Sequence, residues 1–192
     1  MLIVDKFIAA VTPMESEKDR ADARAKAFAA AEPGDWLSLV LNHHLELEDA
    51  LAAIEELSTP GERRDAFKEF SIFLVGHAIA EEGVIYPALA AHSEAGHANM
   101  AYSEQAAVKI EMAVLEQLDP LSEEFEDKLE AVKGALLHHM YEEESDWFLA
   151  LKKNATPADQ ELMTNRYAEE FDRYTGDMEL TDDEDEDEED GR

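Results

Sequence analysis

Apolar residues recur every three or four positions over four long stretches of the chain, each bounded by proline, glycine or short polar turn signals, and this spacing predicts amphipathic helices. The first follows Pro33-Gly34-Asp35, where Asp35 reads as an N-cap, and its apolar line is Trp36, Val40, Leu47, Leu51 and Ile54. Ser58-Thr59-Pro60-Gly61 ends it. The second carries Phe67, Phe70, Leu74 and Val84 in phase, and Pro87 weakens its end. An alanine-rich link through His92 and Gly96 leads to the third, whose inner line is Ala101, Val108, Met112 and Leu115. Asp119 reads as the N-cap of the fourth and Pro120 as its first residue, ahead of Phe125, Leu129, Val132, Leu136 and Trp147. Four long helices joined by short turns predict an all-α chain folded as an antiparallel up-down four-helix bundle.

The flanks add shorter elements. Leu2 to about Val11 reads as an amphipathic helix or arm, and Pro13 breaks it. From Glu15 to Ala31 the sequence is a good helix former, but its apolar face is mostly alanine, which predicts shallow packing. Thr156 and Asp159 resemble a capping box for a last helix reaching about Tyr174. Asp182 to Asp190 is acidic without a break, the composition of a solvated, disordered tail. The expected organisation is an N-terminal helical extension over 1–34, the bundle over 35–154, a C-terminal helix over 155–176 and an acidic tail over 177–192.

Polar residues interrupt the apolar stripes at matching places. His44, His77, Glu81, Gln105, His139 and Glu143 all fall in core phase, and both His77–Glu81 and His139–Glu143 place an imidazole and a carboxylate one turn apart on one helix face. Each His also precedes an aromatic, Tyr86 or Phe148, by the same interval. With turns near 60, 91 and 120 and a rise of about 1.5 Å per residue, these groups meet in one layer, with His139 off by about one helical turn. Two buried carboxylates with no cation would be desolvated and would repel each other. A divalent metal relieves both costs, whereas a salt-bridged cluster would need a Lys or Arg in phase at that level, and the stripes supply none. Elsewhere His138 with Glu142 reads as a surface pair, and His43 and His92 as exposed. Glu82 and Glu144 face solvent or orient ligands, while Trp36, Trp147, Tyr86 and Phe148 read as core.

Composition narrows the chemistry. Sixteen Lys and Arg stand against 47 Asp and Glu, a formal charge of -31 over 192 residues, which repels nucleic acid and anionic membranes. The chain has no cysteine, so disulfides, thiolate metal sites, iron–sulfur clusters and Cys nucleophiles are excluded together. Histidine and carboxylate ligation suits iron, manganese or zinc. The N-terminus is too short and too early charged for a signal peptide, and no run of about eighteen apolar residues spans a membrane, so a cytoplasmic location is expected.

The layout resembles the hemerythrin-like, or HHE cation-binding, family over roughly residues 35–152. Leu39-Val40-Leu41-Asn42-His43-His44 resembles the first-helix signature, with apolar phase favouring His44 over His43. His77 with Glu81, ending in Tyr86-Pro87, is similar to the second-helix motif, and His139 with Glu143, ending in Trp147-Phe148, to the fourth. The resemblance implies a non-haem di-iron centre with carboxylate bridges, terminal imidazoles from His44, His77 and His139, and a position open to dioxygen, nitric oxide or peroxide. The third helix departs from the pattern, with Glu104-Gln105 where the family has Glu-His. Gln105 could then be a weak ligand or hold a metal-bound water, Glu104 or Tyr102 could rotate in, or His97 could reach the site if the helix shifts. Failing these, the site is one ligand short. A carrier or sensor, an oxidoreductase acting on peroxide or dioxygen, and an iron- or zinc-buffering bundle all stay open. A monomer or homodimer fits each, and a sensor would need a separate signalling partner. The accessory cysteines expected of the family's iron–sulfur repair branch are missing.

Overall fold

The computed structural model describes residues 15–93 and 95–176; the arm expected near Leu2–Val11 and the acidic tail lie outside the described residues. Six helices and no strand occur among the described residues. We number them α1 (Glu17–Ala30), α2 (Trp36–Glu56), α3 (Pro60–His92), α4 (Ala95–Leu115), α5 (123–154) and α6 (Pro157–Thr175). Helices α2 to α5 form the antiparallel bundle, α1 lies along α2 and α5, and α6 packs across α2 and α3.

Capping fixes where the helices begin. Side-chain oxygens of Ser16, Asp35, Thr59, Ser122 and Thr156 each accept a backbone N–H from the first turn that follows. The Ser122 cap corrects one expectation. Helix α5 starts at Glu123, three residues after Pro120, while Asp119 closes a preceding turn by accepting from Leu121 N at 3.0 Å. Helix α3 runs on past Pro87. The helix widens into a π turn at Glu81–Ile85 and resumes over Tyr86–His92, where Pro87 sits in the first turn and its missing N–H does no harm. Helix α5 repeats the device at Glu143–Trp147.

The buried apolar residues form two clusters rather than one. The upper holds Trp36, Leu41, Ile85, Tyr86, Ala101, Trp147 and Phe148, with Met163 and Tyr167 from α6. Its counterpart below holds Leu47, Leu74, Val108, Met112, Phe125, Leu136 and Met140. On every bundle helix the switch from one cluster to the other falls at a polar core residue, so a buried polar layer divides the core.

Two contacts hold the frame around that layer. Gly76 lets α6 close onto α3, because a Cβ there would come within 2.8 Å of Thr175 Cγ2 and 3.3 Å of Tyr174 Cδ1. At the far end of the bundle, buried Arg63 donates to the carbonyls of Ile54 at 3.2 Å and Pro120 at 2.7 Å, pairs with Glu126, and lies over the Phe125 ring. It ties the ends of α2, α3 and α5 together. By length and composition alone α3 could cross a membrane, yet half of its most apolar window is buried inside the bundle.

The Arg63 contacts make a graded prediction. Arg63→Met should cost about 2–3 kcal/mol in urea unfolding, because two buried carbonyls lose a charged donor. Glu126→Gln, which removes only a half-exposed partner, should cost less than about 1 kcal/mol. Equal losses would mean that the ion pair, not the carbonyl contacts, carries the stability.

Candidate metal centre

Four helices supply the polar layer: His44 from α2, His77 and Glu81 from α3, Gln105 from α4, and His139 and Glu143 from α5, all buried. The structure thus brings together the six residues picked out by core phase. His44 Nε2 lies 3.4 Å from Glu143 Oε2 and 3.8 Å from Glu81 Oε1. His77 Nε2 lies 3.3 Å from Glu81 Oε2, and His139 Nε2 lies 3.3 Å from Glu143 Oε1. Gln105 turns its amide nitrogen to Glu81 Oε2 at 2.6 Å.

The π turns explain why two motifs share an aromatic at one interval. In a regular α-helix, a residue five positions after Glu81 would point about 140° away from it. Here the Tyr86 N–H donates to the Glu81 carbonyl and the Phe148 N–H to that of Glu143, so each ladder slips by one residue. Tyr86 therefore falls on the same face as Glu81. Its hydroxyl sits inside the donor set, 2.9 Å from Glu143 Oε1 and 3.1 Å from both Glu81 Oε2 and His139 Nε2. Apolar phase alone placed Tyr86 in the core, where its ring does lie. It did not show the hydroxyl reaching the missing corner beside Gln105, at 2.5 Å.

Each imidazole is gripped from behind. His44 Nδ1 meets Glu144 Oε1 at 2.8 Å, and Arg24 of α1 anchors that carboxylate at 2.9 and 3.1 Å. His139 Nδ1 meets Glu104 Oε2 at 2.8 Å. His77 Nδ1 meets the Tyr167 hydroxyl of α6 at 3.0 Å, and that hydroxyl also reaches His43 Nδ1 at 2.8 Å. With the proton on Nδ1, all three rings donate outward and aim the Nε2 lone pair into the layer, the arrangement a metal-binding histidine needs.

Several expectations change. The alanine face of α1 does pack shallowly, but that helix delivers Arg24, which pairs with Glu144 and Glu48 rather than with the two inner carboxylates. Glu144 takes the orienting role, whereas Glu82 pairs with Lys109 at the surface at 2.6 Å. His43 is not exposed: it is half-buried beneath α6, with its ring 4.1 Å from that of Phe171. His92 is half-buried too, 3.4 Å from Asp159. Of the third-helix candidates, Glu104 lies behind His139, Tyr102 bonds the Glu82 carbonyl, and His97 stacks on Trp147 away from the layer. Gln105 alone faces inward.

Electrostatics favour a cation. Burial raises both carboxylates, and Glu143 stays raised because Glu81 faces it. Glu81 is instead held down to about 2, since the surrounding imidazoles outweigh its burial. Burial pushes His77 down to about 3. Burial opposes charge on His139 and His44 as well, but the carboxylates prevail, lifting His139 to about 9 and His44 well above the imidazole range. Protons on imidazoles thus substitute for a missing positive charge. The layer's unpartnered atoms fit a metal: His44 Nε2, His77 Nε2, Glu81 Oε1 and Glu143 Oε2 are buried and none has a hydrogen-bond partner, and the same holds for Gln105 Oε1 beside the amide nitrogen that meets Glu81. Ligand atoms of His44, His77 and Glu81 lie within 4.8 Å of one another, as do those of Glu81, His139 and Glu143, and Glu81 is common to both triads.

Comparison with known proteins shows the family. Residues 35–151 match the Hemerythrin HHE cation binding domain, and the chain belongs to that family. The crystal structure of a Hemerythrin HHE cation binding domain-containing protein from Mycobacterium kansasii, the Rv2633c homolog, superposes with a TM-score of 0.65 at 27% identity, covering 73% of this chain and 86% of that one. A DNA nickase from Nostoc sp. (strain PCC 7120 / SAG 25.82 / UTEX 2576) is 25% identical over 128 residues. That match takes in 67% of this chain but only 35% of the nickase, so the chain spans about a third of that relative's length.

Glu144→Gln should weaken metal binding about 10–100-fold in a chelator competition while the circular dichroism spectrum stays unchanged, because His44 loses its charged anchor. Glu82→Gln should leave the affinity as it was.

Proposed function

We propose that the chain is a hemerythrin-like metal protein whose polar layer holds a non-haem di-iron centre that binds or senses a small oxidant, dioxygen, nitric oxide or peroxide. The observation that carries this reading is the pair of donor triads sharing Glu81, ringed by buried atoms without partners. His44 and His77 would serve one iron and His139 and Glu143 the other, with Glu81 between them; Gln105 or the Tyr86 hydroxyl would complete the third-helix corner. Iron in nitrogen and oxygen ligation supplies one-electron chemistry toward such ligands.

The chain's own residues set the rest. A small cavity of about 10 Å³, room for roughly one water-sized molecule, is lined by His77, Gln105 and His139 together with Leu74, Ala78, Val108, Leu136 and Lys109. Its size favours a diatomic or peroxide over any organic substrate. Leu74, Val108 and Leu136 keep the approach apolar, and the neutral Gln105 amide offers a hydrogen bond without adding charge. The nickase activity of the Nostoc relative does not transfer to this reading, because 47 acidic against 16 basic residues oppose a nucleic-acid substrate.

Elemental analysis of untagged protein, with an optical spectrum before and after air exposure, tests the proposal. Two irons per chain and visible absorption that responds to air are expected. Zinc, or less than one metal per chain, would overturn it. Stripping the metal should lower the melting temperature by about 10 °C, since a ligand held at a large excess over its dissociation constant stabilises by about 4 kcal/mol. Glu81→Ala should abolish uptake of both irons. Gln105→His should raise metal content or slow autoxidation, and a variant indistinguishable from wild type would remove that position from the site.

A further inference from the structure

Beside the inner layer, and on its solvent side, lies a second group of donors. His138, one residue before His139, faces away from the bundle core, with Glu142 one turn further along α5. Its Nε2 lies 3.8 Å from Glu142 Oε1, and its Nδ1 lies 3.1 Å from both carboxylate oxygens of Glu15, which leads into α1. Glu104 of α4 completes the group: ligand atoms of Glu104, His138 and Glu142 all lie within 4.8 Å of one another. Three carboxylates from three separate parts of the chain therefore surround one imidazole.

Like charges brought so close repel, and basic side chains of the same helices are engaged elsewhere: Arg20 donates to the Glu15 backbone carbonyl at 2.7 Å rather than to its carboxylate, Arg24 pairs with Glu48 and Glu144, Lys109 with Glu82, and Lys133 with Glu55. Further, Glu142 Oε2 is itself buried and has no hydrogen-bond partner. A carboxylate oxygen shut off from water, without a partner and beside two other carboxylates, is a position that a cation would fill.

We propose that Glu104, His138 and Glu142, with Glu15 closing one side, form an outer site for a single divalent transition cation such as zinc, manganese or ferrous iron. The imidazole selects these over magnesium and calcium, which prefer oxygen alone. The site differs from the inner layer in access, since Glu104 and Glu142 side chains are 28% and 25% exposed while Glu81 and Glu143 are fully enclosed. It is also joined to that layer. Glu104 holds His139 Nδ1 through Oε2, so one carboxylate serves both sites. A cation arriving from solvent meets the outer site first and shares a carboxylate with a ring of the inner one.

Zinc titration by calorimetry of the full-length protein tests this, with millimolar magnesium present to occupy carboxylate-only sites such as the acidic tail. The inner metal content is first fixed by elemental analysis. Wild type should bind one zinc per chain more than His138→Gln/Glu142→Gln, at unchanged inner metal content and circular dichroism. The single variant Glu15→Gln should keep that equivalent with affinity reduced about tenfold. Equal zinc uptake by wild type and the double variant would overturn the proposal. Should the double variant misfold, Glu142→Gln alone decides, by losing the extra equivalent or retaining it at wild-type affinity. Because the readout is the additional zinc, an inner layer found to contain something other than iron would defeat the di-iron reading and leave this one standing.

Discussion

Glu81 and Glu143 are both fully enclosed, and they face each other across a layer of imidazoles. Two carboxylates removed from water in this way would each carry several kcal/mol of desolvation and would repel one another, and much of the architecture answers to that. Three of the four bundle helices bring a histidine to the pair. Outer helices brace two of those rings from behind, α1 through Arg24 and Glu144, α6 through Tyr167. The apolar core itself gives way, separating into an upper and a lower cluster with the polar layer between. A cation in the layer would compete with protons for the His44 and His139 nitrogens, because the same carboxylates that raise both imidazoles also attract the metal.

The helices outside the bundle therefore do more than thicken it. Their composition gives little hint of this: α1 is largely alanine and charge, and α6 is predominantly polar. Yet the two rings they brace, His44 and His77, belong to the same donor triad. The other triad draws its support from within, from Glu104 on the neighbouring bundle helix. Glu104 is the more exposed brace, and it faces the outer acidic group as well as His139.

Much of this was legible in the chain. Amphipathic phase placed all six inner residues correctly, because a polar side chain in an apolar stripe must end up in the core whatever lies opposite. The N-caps at Asp35 and Thr156 are local signals, and both hold, although Asp159 returns its carboxylate to the Thr156 hydroxyl rather than to its backbone N–H. Contacts between residues ninety or more positions apart were not legible: nothing in an alanine-rich helix announces that Arg24 meets Glu144, or that Tyr167 reaches two histidines. Asp119-Pro120 misled because a turn and a helix N-terminus use the same residue types, and Ser122 lay close enough to take the cap. One faint signal of the widened turns is present in the sequence. Tyr86 and Phe148 stand at the same interval from their histidines, on what would be the wrong face of an unbroken α-helix.

Helices α3 and α5 each contain one residue more than an α-helix of their height requires, and in each the surplus begins at the carboxylate of the polar layer. This has a bearing on transplantation. Copying the histidines and carboxylates onto an idealised bundle would reproduce the half of the site that comes before the widened turns. Beyond them every side chain would be rotated, so the Tyr86 hydroxyl would leave the donor set and Phe148 would leave the wall behind it. A faithful graft has to carry two single-residue insertions, and a loss of either would be a change of register rather than of chemistry. In this bundle, chain length within a helix is as much a part of the donor set as the identity of its residues.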